Sequence, residues 1–119
     1  SLLGILAQRL VRVLCNDCKE EDVLAEDFIN SYNLHNQVVY KSNGCKKCGY
    51  SGYMGRKSIG ELLIMNDSVK DILKTTTDEH SINIELEKNG LKSISTQLLE
   101  MLRNGETSLD EAIRIGLHH

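Results

Sequence analysis

At 119 residues the chain has the length of one modest domain, or of one domain with an appendage. A net charge of −3, with acidic and basic residues well mixed, argues against a dedicated nucleic-acid-binding surface, which calls for a basic bias. Aromatic residues make up 4% against a hydrophobic content of 40%, so the core must be built from Leu, Ile, Val and Met, which favours helix packing.

No stretch approaches the length of a membrane span, and no signal peptide is visible. The chain does not open on Met and is expected to be a fragment of something longer. His118 and His119 are read as belonging to a purification tag and are assigned no function.

Residues 2–14 carry Leu3, Leu6, Leu10 and Leu14 at helical spacing, and Gln8, Arg9 and Arg12 make the predicted helix amphipathic. Arg9 and Arg12 would serve a phosphate or a neighbouring subunit, or simply form a solvated face. Residues 21–33 again show helical spacing, through Val23, Leu24, Phe28, Ile29 and Tyr32. Residues 37–41 (QVVYK) are short and β-favouring, and 49–55 (GYSGYMG) form a turn-rich segment. Residues 57–65 (KSIGELLIM) read as a strand returning across the preceding lobe, although periodicity alone does not separate helix from strand there.

From residue 66 the pattern turns helical. Asn66 or Asp67 is expected to cap a helix carrying Val69, Ile72 and Leu73. Thr77 or Asp78 starts a second with Ile82 and Leu86, stopped by Asn89-Gly90. A third uses Ile94, Leu98, Met101 and Leu102 and ends at Asn104-Gly105. Thr107 and Ser108, each followed three residues later by an acid, are capping-box candidates for a last helix.

The four cysteines form two pairs, Cys15-x-x-Cys18 and Cys45-x-x-Cys48, separated by 26 residues. Two such hooks can converge four thiolates on one tetrahedral metal, for which Zn²⁺ is best suited. A closed four-thiolate shell leaves no position for chemistry, so the zinc is expected to be structural. Gly49 is placed for the left-handed turn such a hook often needs, and the first hook lacks an equivalent glycine. Lys19, Lys46 and Lys47 stand beside the ligands and would offset the excess negative charge. The competing readings are two disulfides, a thiol redox pair, or iron in a rubredoxin-like hook. His35 is expected to be a solvent-exposed loop residue rather than a ligand, and His80 a first-turn helix residue. Tyr50 and Tyr53 are expected to pack over the metal lobe, with Arg56 bonding carbonyls of the glycine-rich turn.

These expectations amount to a mainly α fold with a small β-containing tetracysteine zinc lobe and a C-terminal helical bundle. The divisions are a helix over 1–14, the zinc lobe over 15–65 and a helical subdomain over 66–117. There is no G-x-x-x-x-G-K-[ST] phosphate loop, no G-x-G-x-x-G, no H-E-x-x-H and no credible nucleophile–base pair. No catalytic residue and no cofactor-binding residue besides the four cysteines is assigned.

SLLGILAQRLVRVLC, GCKKCGYSGYMGRKSIGELL and NGLKSISTQLLEMLRNGETSLDEAIRI stand in the order in which similar runs occur in one family. Together they resemble the C-terminal region of type II secretion and type IV pilus assembly ATPases, over nearly the whole chain. Asn16 stands where the family commonly has Pro, Ser58 where Gly is frequent, and Gly60 where a bulky residue is usual. The Asp-Gly pair common before the last-but-one helix is replaced around Gln97-Leu98.

The resemblance implies a hexameric, Mg²⁺-dependent, cytoplasmic parent ATPase, peripheral to the inner membrane. Its RecA-like motor, with ATP and Mg²⁺, would precede residue 1, and residues 1–14 would close the ATPase core. Implied partners are the rest of the ATPase, neighbouring subunits and an inner-membrane platform protein, with no nucleic acid. This region would be non-catalytic, helping couple motor movement to transport. Two other functions compete: a free-standing zinc-ribbon adaptor or nucleic-acid-binding module, and a rubredoxin-like electron carrier.

Overall fold

A computed structural model of the chain describes residues 2–65, 67–75, 78–88 and 92–118. Its longest feature is an antiparallel ribbon of two 13-residue strands, β1 (Leu2–Leu14) and β4 (Tyr53–Met65). At roughly 3.3 Å per residue each strand runs about 40 Å, which accounts for molecular dimensions of 52 × 30 × 19 Å. Between them lie β2 (Glu20–Glu21), helix α1 (Glu26–Ser31) and β3 (Tyr40–Lys41), with β2 and β3 paired antiparallel. Four helices follow: α2 (Asp67–Thr75), α3 (Glu79–Lys88), α4 (Ile94–Arg103) and α5 (Leu109–Ile115). With five helices and four strands among the described residues, the fold is mixed rather than mainly α.

Residues 2–14 are therefore a strand, not the expected helix. The register explains the misreading. Ile5 pairs with Leu62 and Ala7 with Glu61, which leaves Leu6 as an extra residue in β1. A bulge of this kind shifts the two-residue alternation by one. A second irregularity follows Arg12, where three residues of β4 span two of β1, and Gly55 takes φ +78°. Val11 and Leu14 are both buried on either side of it, a three-residue spacing that imitates a helix. Leu10, which the helical face would have buried, is 55% exposed.

The helix predicted over 21–33 shrinks to α1, where Phe28 and Tyr32 stack with ring centroids 6.3 Å apart. Val23 lies outside it and is 95% exposed. The predicted 37–41 strand reduces to Tyr40 and Lys41. The 57–65 segment is indeed strand, within β4.

Among the C-terminal helices, Asp78 receives the Ser81 N–H on Oδ2 at 3.0 Å at the start of α3. The alternative caps Asn66 and Thr77, and the Asn89-Gly90 stop, lie outside the described residues. Helix α4 begins at Ser93, whose Oγ accepts the Thr96 N–H, and ends at Asn104, with Gly105 at φ +72°. Helix α5 starts at Ser108, whose Oγ accepts the Glu111 N–H. Leu98, Met101 and Leu102 of α4, with Leu109 and Ala112 of α5, pack on Val11 and Ile59 from the ribbon. Tyr32, Leu34 and Val39 of the intervening lobe complete this single core. Glu61 of β4 reaches the first turn of α4, accepting the Ile94 N–H at 2.9 Å, and Gln97 Nε2 donates to the Gly60 carbonyl at 2.7 Å. The ribbon, the lobe and the last two helices are thus one packed body.

Candidate metal centre

The first hook leaves the end of β1 directly. Cys15 follows Leu14, and the Cys18 and Lys19 amides both turn back to the Cys15 carbonyl, at 3.4 and 3.0 Å. The second hook turns more tightly, the Gly49 amide reaching the Lys46 carbonyl (3.2 Å) and the Tyr50 amide the Cys45 carbonyl (2.8 Å). Gly49 takes φ +65° as expected, and Tyr50 follows at the same φ, a conformation unfavourable for a bulky residue and held by that 2.8 Å bond.

Gly52 ties the hooks together. Its amide donates to Cys48 Sγ at 3.3 Å, while its carbonyl accepts the Cys15 amide at 2.9 Å. Its φ is +84°, and a Cβ there would stand 2.5 Å from Ser42 Cβ, so glycine is required on both counts.

The result is a cluster of four free cysteines whose Sγ atoms all lie within 4.8 Å of one another, Cys15 buried and the other three half-buried. The shortest separations are 3.8 Å for Cys15–Cys45, 3.8 Å for Cys18–Cys48 and 3.7 Å for Cys45–Cys48. A tetrahedron with metal–sulfur bonds of about 2.3 Å has an edge of about 3.8 Å, so the donor set and its spacing fit a zinc ion. None of these separations is a disulfide bond. The amides of Cys45 and Gly52 point at Cys48 Sγ, and the Cys45 amide leads in lowering that thiol to about 6. Desolvation pushes Cys18 up to about 12. A positive ion would supply the charge that these four sulfurs lack when they are brought together as thiolates.

The neighbouring lysines divide their roles. Lys47 pairs with Asp17 at 2.9 Å, joining one hook to the other, and this contact first, then the Cys15 and Cys45 sulfurs, raises its pKa. Lys19 does not face the sulfurs. Its ammonium donates to the Gly105 carbonyl at 2.9 Å and lies 4.6 Å from the Tyr40 ring centroid. His35 and His80 are exposed, and neither joins the cluster. Tyr50 is 72% exposed, whereas Tyr53 packs under the Arg12 guanidinium at 4.3 Å and bonds Ser108 through its hydroxyl at 2.6 Å. The Arg56 side chain bonds no carbonyl of the glycine-rich turn and makes no hydrogen bond or ion pair among the described residues, contrary to expectation. The Arg9 guanidinium donates to the Gln8 carbonyl, its only side-chain bond among the described residues.

One buried charge escaped the sequence reading. Glu111, 1% exposed, accepts from the Arg12 amide, from Nε and Nη2 of Arg12, and from Nε and Nη2 of Arg114, all within 3.1 Å. Burial alone would raise this carboxyl, but the Arg114 and Arg12 donors more than offset it and hold it down at about 2. The sequence signal was present at the third position of a capping box, where it pointed to the helix end and not to Arg12.

The sequence profile of the family described as "Type II/IV secretion system protein" matches residues 1–114. The type II secretion system ATPase E of Vibrio cholerae is 37% identical over 118 residues, covering 97% of this chain and 23% of the relative. The type II secretion system protein E of Dickeya dadantii is 36% identical over 116 residues with the same coverage. The type IV pilus assembly ATPase PilB of Thermus thermophilus is 30% identical over 118 residues, covering 95% of this chain and 13% of the relative. The chain thus spans about a quarter or less of the length of the curated relatives it matches. No helix among the described residues is long and apolar enough to cross a membrane. On this match across nearly its whole length, the chain belongs to the family of type II/IV secretion system proteins.

Proposed function

We propose that this chain is the non-catalytic zinc-binding and interaction region of a secretion or pilus-assembly ATPase, coupling ATP-driven motion to the transport machinery. The observation that carries this reading is the four-sulfur cluster at tetrahedral spacing, tied into the same packed body as the ribbon and the last two helices. Cys15, Cys18, Cys45 and Cys48 hold the ion, which serves as a structural cross-link between hooks distant in sequence. Gly52 and the Asp17–Lys47 pair set the distance between those hooks.

In this reading ATP and Mg²⁺ belong to a motor elsewhere in the parent, since these residues contain no phosphate loop. The arrangement into 1–14, 15–65 and 66–117 becomes a strand continuing the motor core, a zinc lobe and a helical extension. The lobe keeps a fixed shape and passes displacement to neighbouring subunits of a hexamer and to an inner-membrane platform protein, from the cytoplasmic side.

Native mass spectrometry and a transport assay test the proposal together. One zinc per chain is expected, with transport abolished by Cys45→Ala/Cys48→Ala in the full-length protein. A metal-free chain four hydrogens lighter would replace the ion with two disulfides, and unchanged transport in the double variant would remove the coupling role.

A further inference from the structure

Four residues of the turn between α4 and α5, Gly105 to Ser108, are held by the two long strands and by residues next to the first cysteine hook. The Leu14 amide, one residue before Cys15, donates to the Glu106 carbonyl at 2.8 Å. Lys19, one residue after Cys18, reaches the Gly105 carbonyl at 2.9 Å. The Thr107 hydroxyl donates to the Arg12 carbonyl at 2.9 Å, and Ser108 shares a 2.6 Å hydrogen bond with the Tyr53 hydroxyl. Contact is also close sterically: a Cβ on Gly105 would stand 3.0 Å from Tyr40 Cδ2 and 3.3 Å from Lys19 Nζ.

Four consecutive turn residues are thus gripped by the two strands and the first hook. That hook is in turn tied to the sulfur cluster, through the Cys15–Gly52 and Gly52–Cys48 bonds. The core beneath α4, by contrast, is apolar and shares none of these hydrogen bonds.

We infer that the metal site is a latch for the α4–α5 turn. With the site filled, Leu14 and Lys19 are held where they grip Glu106 and Gly105. With it empty, the first hook shifts and the turn opens, while the interior of α4 stays packed on Val11 and Ile59. Metal occupancy then regulates the order of the α4–α5 turn without unfolding the body. The inference rests on the four cysteines holding zinc, as proposed above.

Amide hydrogen exchange, compared between the zinc-loaded chain and the same chain stripped by a chelator, reads the latch directly. Expected on stripping is at least about tenfold faster exchange at Leu14, Gly105 and Glu106, with the interior amides of α4 unchanged. The Leu14 amide grips the Glu106 carbonyl, while the Gly105 and Glu106 amides close the end of α4 on the Leu102 and Met101 carbonyls and are freed when the turn opens. Lys19→Met, which keeps all four cysteines, should bind one zinc and still show faster exchange at Gly105 and Glu106. Equal protection of the turn in loaded and stripped chains overturns the inference. So does loss of the α4 interior in step with the turn, because zinc would then staple the whole fold. Wild-type protection in Lys19→Met overturns the assignment of Lys19 as the grip. Failure of the underlying zinc reading is seen separately, as a chain that carries no zinc before the chelator is added.

Discussion

Glu111 receives five hydrogen bonds from two arginines while almost wholly removed from water, so its ionised form is tied to the native state. Its carboxyl falls from an ordinary value of 4.5 to about 2. A lowered folded-state value contributes stability that is fully present above 4.5 and is lost as pH falls through about 2. The shift corresponds to about 3 kcal/mol, but the guanidinium groups are partly exposed and screened, which reduces the contribution to about 2 kcal/mol. Glu111→Gln should therefore lower stability by about 2 kcal/mol at pH 7, and its deficit against the parent chain should shrink between pH 4.5 and 2. Urea denaturation midpoints across that range check the sign. A deficit independent of pH would mean that packing, not charge, makes Glu111 necessary.

Each of the last two helices is started by a serine, and the two serines carry different burdens. Ser93 accepts the Thr96 amide at an open end of α4, whereas Ser108 is buried, accepts the Glu111 amide and shares a bond with the Tyr53 hydroxyl. Ser93→Ala should cost about 1 kcal/mol and Ser108→Ala about 2 kcal/mol, since the second also strands a partly buried hydroxyl. Equal losses in chemical denaturation would show that Tyr53 finds another partner. These starts and stops were legible in the sequence because capping is local: Ser108 and Glu111 are three residues apart, and Asn104-Gly105 closes α4 as read. The strand β1 was not legible, because the Leu6 bulge and the irregularity after Arg12 give its apolar residues spacings of three and four. The partner that makes it a strand lies about 50 residues away, in β4.

Across the whole molecule, the apolar core and, in the zinc reading proposed above, the sulfur cluster stabilise the fold by different means. The core joins β1 and β4 to α4 and α5 by burial, whereas the cluster joins two hooks that bury little apolar surface. An ion bound only by the native state stabilises it by mass action, by about 4 kcal/mol at a thousandfold excess over the dissociation constant. The melting temperature should therefore climb steadily across a series of buffered free Zn²⁺ concentrations, read by scanning calorimetry. A melting temperature indifferent to free Zn²⁺ would mean that the native chain has no such site.

The sequence by itself determined the four cysteines as one candidate site, the left-handed turn at Gly49, the limits of α4, the start of α5 and the family. Each of these depends on residue chemistry at short spacing, or on motifs in a recognisable order. Only the tertiary structure decided that β1 is a strand, that Lys19 grips Gly105 and leaves the sulfurs, and that Glu111 answers Arg12. Those outcomes are contacts between residues 39 to 99 positions apart, set by β register and by competition for buried hydrogen bonds, to which local periodicity is blind.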